Sequence, residues 1–256
     1  MTSPKEMQII DKQSFVSDIV KRDYRTAVVF RRHGIEYCCG ARFPLELVCS
    51  LKGLDLESIC EELETASQTV TIPGPLRFEE WDPAFLADYI VHIHHDYLKS
   101  TLPAALETIE EFSEGHKKKF TQLPELVAIF SGMVKELLNH LEYEEEIIFP
   151  YVKQIAHAYK QRESYASLLV RTLRKPVEEV MQHEHRFVEE ALTRIHELTN
   201  NYFIPAEACT SHKVSFLTLR DLEKDILQHL HLENDILFPK AIGMEKELLK
   251  NKFAQD

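Results

Sequence analysis

The chain has 256 residues, of which 44% are hydrophobic, so it can bury the core of one main domain and a smaller one beside it. Its formal net charge of −12 argues against general nucleic-acid binding, which needs a basic surface. The sequence contains no basic apolar leader and no apolar stretch of membrane-spanning length, so we expect no membrane contact and a cytoplasmic location.

The composition favours helices. Glycine occurs only 7 times, Leu, Glu, Lys and Ala are abundant, and no run of residues alternates as a strand would. An all-α fold is therefore predicted. The 5 cysteines are odd in number and two of them are adjacent, which is unlike a secreted disulfide framework and favours a reducing compartment.

Residues 1–65 are predicted to form a small helical domain. Its polar first residues precede two short helices, which end at His33-Gly34, and a tight turn then carries the adjacent Cys38 and Cys39. A second pair of short helices follows, the last one capped by Asp55. Residues 66–80 are rich in Thr, Ser, Pro and Gly and are predicted to be a linker.

Residues 81–256 are predicted to form four long helices. Asp82 followed by Pro83 is a typical helix start, and Pro150 predicts a kink or an end in the second helix. The fourth helix is expected to stop near Gly243. The predicted spans are 83 to about 112, about 123 to the 150s, about 165 or 176 to 200, and about 211 to 241.

One pattern occurs twice in these helices and suggests an internal duplication. The stretch HLEYEEEIIFP, which begins at His140, returns as HLHLENDILFP from His229, and 229 − 140 is 89 residues. Each copy places a His four residues before a Glu, at Glu144 and Glu233. On an α-helix these two side chains share a face, which is suitable geometry for metal ligands.

Two more histidines complete a candidate metal site. His95 and His185 precede His140 and His229 by 45 and 44 residues, so four antiparallel helices would bring all four imidazoles to one level. Together with Glu144 and Glu233 they are enough for two metal ions, each held by two imidazoles and bridged by both carboxylates. A set of imidazoles and carboxylates without thiolate favours iron or manganese over structural zinc, and iron is the predicted metal.

These residues also carry a resemblance. The bundle resembles hemerythrin-like domains, and nearly the whole chain resembles the bacterial di-iron proteins that repair damaged iron–sulfur clusters, the repair-of-iron-centres family. The motifs concerned are Asp23 to Ala27, His33 to Gly40, His95-Asp96, His140 to Glu144, Glu184-His185, Thr199 to Asn201, Pro205 to Thr210 and His229 to Asn234.

The resemblance implies an up-and-down four-helix bundle that binds two iron ions joined by an oxo or hydroxo bridge. It implies that His95 and His140 bind one iron, that His185 and His229 bind the other, and that Glu144 and Glu233 bridge them. Glu136 and Glu184 match acidic positions near the family's site, where they would guide iron or protons, or would be ordinary outer acids.

Cys38 and Cys39 match the family's cysteine pair, for which the resemblance implies a redox or metal-transfer function; the alternative is a pair of buried turn residues. Where the family commonly has two glycines after the pair, this chain has Gly40-Ala41, which puts the conformation of that turn in doubt. The implied function is repair of clusters damaged by oxidative or nitrosative stress, by donation of iron or by reaction with nitric oxide or oxygen species. The implied partners are damaged iron–sulfur proteins, and a homodimer is possible.

Three other functions stay open at this stage. A hemerythrin-like carrier or sensor of oxygen or nitric oxide would use the same bundle, although Met181 and Glu189 stand where a carrier's extra histidine would lie four residues from His185. A ferritin-like oxidase is disfavoured because no His has a Glu three residues before it. A helical interaction module would need no metal. No catalytic residue is assigned, and whether the protein is an enzyme is left open.

The remaining histidines and cysteines are not predicted to be ligands. Cys49, Cys60 and Cys209 are expected to be core or surface residues. His92, His94, His183 and His231 flank ligand positions, and most of them are expected to point elsewhere. His92, one turn before His95, is the weakest of these exclusions.

Overall fold

The computed structural model describes residues 10–38, 43–67, 75–163, 165–173 and 175–250, without the side chains of residues 166, 169 and 172–185. Regular structure in this described part is helical, apart from an isolated β-bridge between Phe15 and Pro44. The predicted all-α fold is confirmed. Cys39, Gly40 and Ala41, and the Pro-Gly part of the predicted linker, lie outside the described residues.

The N-terminal region forms a small unit of short helices: α1 (Val16–Arg22), α2 (Ala27–Arg32), α3 (Leu45–Lys52) and α4 (Leu56–Ser67). The break predicted after α2 is present, and Gly34 there has a φ of +60°, which glycine adopts without strain. Asp55 caps α4 as predicted, because its Oδ2 accepts a hydrogen bond from the Ser58 backbone N–H at 3.1 Å.

Four long helical rods form the larger unit. The first contains α5 (Pro83–Tyr89) and α6 (Asp96–His116), the second α7 (Leu123–Tyr143) and α8 (Phe149–Gln161), the third α9 (Ala166–Leu173) and α10 (Lys175–Thr199), and the fourth α11 (Thr210–His231) and α12 (Phe238–Lys250). Both α6 and α10 pack against α7 and α11. This is the neighbour relation of the predicted up-and-down four-helix bundle.

Three of the rods contain a π-helical turn between their two α-helices. The turns span Ile90–His95, Glu144–Ile148 and Leu232–Leu237. The Phe-Pro pairs of the duplicated pattern begin α8 and α12 directly after such a turn. Pro150 falls in the first turn of α8, where a missing N–H is tolerated, so the second rod does not end there.

The ends of the rods show one correct and one wrong prediction. Asp82 caps α5 through a 2.9 Å hydrogen bond from the Ala84 N–H, as its Asp-Pro signal predicts. The expected stop near Gly243 is wrong, because α12 continues to Lys250. Leu248 is buried in the bundle core, and this packing outweighs the roughly 1 kcal/mol that an interior glycine costs a helix.

The buried apolar side chains of the bundle fall into two clusters along its length. One cluster is built from α6, α7, α10 and α11 and includes Phe130 and Ile226. The other is built mainly from α5, α8 and α12 and includes Phe149 and Phe238. The π-helical turns lie where the two clusters meet, so polar side chains at that depth are sealed from water on both sides.

The small unit packs on the outside of the bundle. Its own apolar core includes Val214 of α11. Arg31 reaches across to α6, where its Nη1 donates a 2.7 Å hydrogen bond to the Ala104 carbonyl and its Nη2 lies 3.2 Å from Glu111. Since the Arg31 side chain is only 15% exposed, these charge-assisted hydrogen bonds are partly shielded from water.

We expect Arg31→Ala to weaken the packing of the small unit on the bundle by about 1–3 kcal/mol, because a charge-assisted bond and its buried stem are lost. Hydrogen exchange of the α2 and α6 amides would measure this. Arg32→Ala is the matched control: its side chain is 63% exposed and pairs with Glu62 inside the small unit. Equal protection in both variants would show that Arg31 does not fasten the two units.

Candidate metal centre

The predicted ligands whose side chains are described are all buried. The exposed fractions are 5% for His140 and 0% for His95, Glu144, His229 and Glu233. The sixth predicted ligand, His185, is part of α10, but its side chain lies outside the described residues.

The π-helical turns place three of these residues. His95 is the last residue of the first turn, Glu144 begins the second, and Glu233 lies in the third. A π-turn inserts an extra residue into an α-helix and changes the direction in which the next side chains point, and such turns are frequent at functional sites. In both copies of the duplicated pattern, the His lies in the last turn of an α-helix and the Glu lies in the π-helical turn that follows.

The four residues from the first, second and fourth rods converge on one point. His95, Glu144, His229 and Glu233 each offer a ligand atom, and these atoms all lie within 4.8 Å of one another. The Nε2 atoms of His95 and His229 are 3.1 Å apart, and His229 Nε2 is 2.8 Å from Glu233 Oε1. Within the described residues, this is the one convergent group of at least three such donors.

Glu144 lies between two sets of imidazoles. Its Oε1 is 3.3 Å from His140 Nε2, whereas its Oε2 is 3.5 Å from His95 Nε2 and 3.7 Å from His229 Nε2. The two oxygens of one carboxylate thus face different imidazoles. This is the arrangement that a bridging carboxylate needs.

Burial and charge oppose each other at the site. Burial alone would lower the pKa of His229, but the carboxylates of Glu233 and Glu144 raise it to about 10. Burial also disfavours the Glu233 carboxylate, yet the His229 imidazolium beside it holds the pKa of Glu233 well below its ordinary range. The pocket therefore favours carboxylates balanced by positive charge.

A metal cation fits this set of residues. Neither oxygen of Glu144 makes a hydrogen bond, although the side chain is fully buried. A buried carboxylate in that condition is costly unless a cation compensates it. The converging atoms are imidazole nitrogens and carboxylate oxygens, a mixture that suits first-row transition metals.

The resemblance implies that His95 and His140 share one ion, and the structure shows which imidazoles are in contact. Here His95 and His229 face each other. Their 3.1 Å separation is about the spacing of two nitrogens that bind one ion side by side through metal–nitrogen bonds of about 2.1 Å. His140 lies on the other side of Glu144.

His95 has an outer carboxylate partner that the sequence analysis missed. Its Nδ1–H donates to Glu145 Oε1 at 2.8 Å, and Lys99 Nζ donates to Glu145 Oε2 at 2.6 Å. Burial opposes ionisation of Glu145, but Lys99 and His95 lower its pKa. Bonds of this kind fix the tautomer and orientation of a ligating imidazole. The His95 ring also stacks on Phe149, with centroids 5.4 Å apart.

The flanking histidines do not behave alike. His92 and His231 are exposed, by 71% and 57% of their side chains, and each pairs with an Asp four residues later. His94 is only 2% exposed and lies against the ring of His229. From the sequence, His92 is the flanking histidine whose exclusion from the ligand set is weakest. In the structure His92 faces solvent, and His94 is the flanking histidine that is buried near the site.

The two acidic positions of the resemblance cannot both be placed. Glu136 lies on α7 one turn before His140 and is exposed. The side chain of Glu184 is outside the described residues, as is that of His183.

Cys38 opens onto a cavity of about 440 Å³ between the small unit and the end of the bundle. Arg31 and Tyr37 line the cavity from the small unit, and Phe112 and His116 line it from α6. Cys38 thus faces the bundle of its own chain. Cys39 is outside the described residues.

Cys209 also has a contact that no sequence signal indicated. Its Sγ lies 3.4 Å from His116 Nε2, while His116 Nδ1–H donates to the Phe112 carbonyl at 3.0 Å. Cys49 and Cys60 are buried in the small unit, as expected, and burial raises the pKa of both thiols.

Comparisons with known proteins agree with this architecture. The family model described as "Hemerythrin HHE cation binding domain" matches residues 86–241, and the model described as "Domain of Unknown function (DUF542)" matches residues 12–67. No helix among the described residues is both long and apolar enough to cross a bilayer.

Curated relatives are similar over most of the chain. A protein of Citrobacter koseri named "Iron-sulfur cluster repair protein YtfE" is 30% identical over 225 residues, covering 86% of this chain and 93% of its own. Its counterpart of the same name from Cronobacter sakazakii is 32% identical over 225 residues, with 87% and 93% covered. One from Escherichia coli is 30% identical over 224 residues, with 86% and 93% covered.

Proposed function

We propose that this chain, which belongs to the family of iron–sulfur cluster repair proteins with a hemerythrin HHE cation-binding domain, repairs clusters damaged by oxidative or nitrosative stress. In this proposal it stores ferrous iron at the buried centre and donates it to a damaged iron–sulfur protein. Nitric oxide or oxygen species are the proposed small reactants.

The position of Glu144 carries the proposal that the centre is dinuclear. One of its oxygens faces His140 and the other faces His95 and His229. We infer that His95 and His229 hold one iron, that His140 and His185 hold the other, and that Glu144 and Glu233 bridge them. An oxo or hydroxo group would complete the bridge.

The donor set supports iron as the metal. Imidazole and carboxylate ligands suit iron and manganese, whereas structural zinc sites are usually rich in thiolates. When bound, such a pair of irons supplies one-electron chemistry with small diatomic molecules and a store of transferable iron. The residues of the chain supply what this chemistry needs, namely a dry pocket, fixed imidazoles and carboxylates that can change their binding mode.

Each side chain has a definite task in iron release. Glu145 and Lys99 hold the His95 ring in one orientation. Glu144 lies next to imidazoles of both halves of the site, so rotation or protonation of that one carboxylate would weaken the hold on both irons at once. This coupling suits a protein that must give iron away as well as bind it.

The cavity beside Cys38 supports a further part of the proposal. A thiol at this opening, next to His116 and a cationic Arg31, is placed to receive a metal ion or a reactive nitrogen species from a docked partner. We propose that Cys38 and Cys39 act in redox chemistry or metal transfer there, with Glu136 and Glu184 on an iron or proton path.

Three general features complete the proposal. Residues 1–65 act as the cysteine domain, residues 66–80 as a linker and residues 81–256 as the iron-binding bundle. The protein works in the cytoplasm, where thiols stay reduced. A homodimer is its proposed assembly.

The iron-loaded chain is expected to restore activity to a purified dehydratase whose four-iron cluster has been damaged by nitric oxide, in the presence of a chelator that captures free ferrous ion. Because the iron is delivered from a closed site, reactivation should exceed that given by the same amount of ferrous salt. Enzyme activity and the cluster's visible absorption would both measure it.

Two comparisons make this assay decisive. The metal-free chain should give no reactivation, and Cys38→Ser should slow transfer while leaving the bound iron unchanged if the thiol receives the metal. Reactivation no greater than that from chelated ferrous salt would contradict iron donation.

A further inference from the structure

His94, which is buried, and Asp225, which is half-buried, form a hydrogen-bonded pair behind the proposed metal ligand His229. Asp225 precedes His229 by four residues on α11, so the two side chains share a face of that helix. His94 comes from the first rod and lies against both: its Nδ1–H donates to Asp225 Oδ1 at 3.0 Å, and its ring centroid is 6.2 Å from that of His229.

Three atoms of this group have no hydrogen-bond partner within the described structure although they are buried. They are His94 Nε2, His229 Nδ1 and Asp225 Oδ2. Leaving a buried polar atom without a partner costs about 1–3 kcal/mol, and native proteins rarely do so. His94 Nε2 and His229 Nδ1 belong to rings that lie against each other, so one polar group between the rings would satisfy both.

The distance between the rings identifies what that partner is. The ring centroids of His94 and His229 are 6.2 Å apart. A ring nitrogen lies only about 1.1 Å from its centroid, so the nearest nitrogens of the two rings are at least about 3.9 Å apart, which is too far for a direct hydrogen bond. One water molecule with two bonds of about 2.8 Å can span that gap.

We propose that Asp225 and His94, acting through one buried water, form the outer hydrogen-bond chain that positions His229 as a metal ligand. His229 Nδ1–H donates to the water, and the water donates to His94 Nε2. Asp225 Oδ1 in turn accepts from His94 Nδ1–H, which leaves Nε2 of that ring as the acceptor. Two ring nitrogens are enough polar partners to hold a buried water.

This chain fixes His229 in the tautomer whose Nε2 lone pair is free for the metal, and it holds the plane of the ring. It is the counterpart of the direct bond from His95 to Glu145 on the other imidazole. His94 is thus a positioning residue, and the inference rests on the proposed metal centre.

The duplication supports this assignment of Asp225. Glu136 precedes His140 by four residues, as Asp225 precedes His229, and 225 − 136 is again 89 residues. Glu136 is exposed, whereas Asp225 is covered by His94 and only 20% of its side chain is exposed. The acid at this position of the repeat is therefore exposed in the first copy, and in the second copy it is mostly covered and lies behind His229.

The test compares His94→Phe with His92→Phe in the full-length chain. Phe keeps an aromatic ring of similar size in the buried site but removes both nitrogens. His92 and Asp96 form the matched exposed pair on the same rod, 3.6 Å apart. Zinc(II) would be bound in place of iron for NMR with ¹⁵N-labelled histidine, and ferrous ion would be titrated against a chelator.

Wild type and His92→Phe should both show a slowly exchanging Nδ1–H signal from His229 and the same metal affinity. His94→Phe should lose that signal and bind ferrous ion about 10–100-fold more weakly, as changes to outer partners of metal ligands commonly do. Asp225→Asn should reduce affinity by a smaller factor, and His94→Gln, which keeps an acceptor, should restore part of it.

The outcomes separate this inference from the proposed function. If His94→Phe fails to fold, as judged by circular dichroism, His94→Gln and Asp225→Asn carry the comparison instead. Wild-type affinity and an intact His229 signal in the His94 and Asp225 variants would overturn the inference while leaving the metal centre in place. A wild-type chain that binds no metal would overturn both.

Discussion

Replacing Glu144 with Gln is expected to remove both of the proposed irons from the purified protein, whereas the wild-type chain should carry two. The amide keeps the size and shape of the side chain but has no negative charge, so it is a poor bridge between two cations. Because Glu144 contacts imidazoles on both sides, its loss should affect both ions together rather than one of them.

Glu146→Gln provides the matched control for this experiment. Glu146 lies two residues farther along the same π-helical turn and is exposed, so the change in net charge is identical while the site is untouched. Metal analysis and the visible absorption of the bridged pair would measure the result. Retention of two irons and an unchanged spectrum by Glu144→Gln would contradict the bridging role.

The metal-free form of the same variant should fold normally. His229 and Glu233 remain as a buried ion pair in Glu144→Gln, and the packing around residue 144 is unchanged in volume. A loss of helix content in the metal-free variant would indicate that Glu144 has a structural role, so circular dichroism belongs beside the iron measurement.

The fold and the convergence of the predicted ligands whose side chains are described could be predicted from the sequence for a clear physical reason. Two copies of a His and a Glu four residues apart, inside the same apolar frame, fix both the helix period and the face that turns inward. The spacing of about 45 residues then sets the length of each rod. These signals are local or repetitive, and a sequence shows both directly.

The orientation of residues near the π-turns could not be predicted in the same way. An α-helical period groups His92 with His95, yet the π-helical turn Ile90–His95 has a wider turn and rotates the faces. It therefore exposes His92 and buries His94. Glu145 was missed for a related reason, since it directly follows a ligand and the α-helical period places it on another face.

Contacts between segments that are distant in the chain could not be predicted from the sequence either. Gly243 is a helix-ending signal when its neighbours are considered alone, but the burial of Leu248 continues α12 past it. Cys209 is isolated in sequence, and only the packing of α6 beside the start of α11 brings His116 to its thiol.

Phe149→Ala should both destabilise the bundle and impair the metal centre. Phe149 is 1% exposed in the apolar cluster below the site, and its ring stacks on the His95 imidazole. Removing a buried phenyl ring costs about 3–5 kcal/mol through lost burial and the cavity left behind. The cavity also borders His95, so water can reach a ligand that is otherwise fully covered.

Phe130→Ala distinguishes these two effects. Phe130 is also fully buried, but it lies in the other apolar cluster, ten residues before His140 on α7, or about 15 Å along the helix axis. Chemical denaturation should show a similar loss of stability in both variants. Only Phe149→Ala should weaken iron binding at temperatures where the protein is fully folded. Equal iron affinity in both folded variants would show that Phe149 supports the bundle without protecting the metal centre.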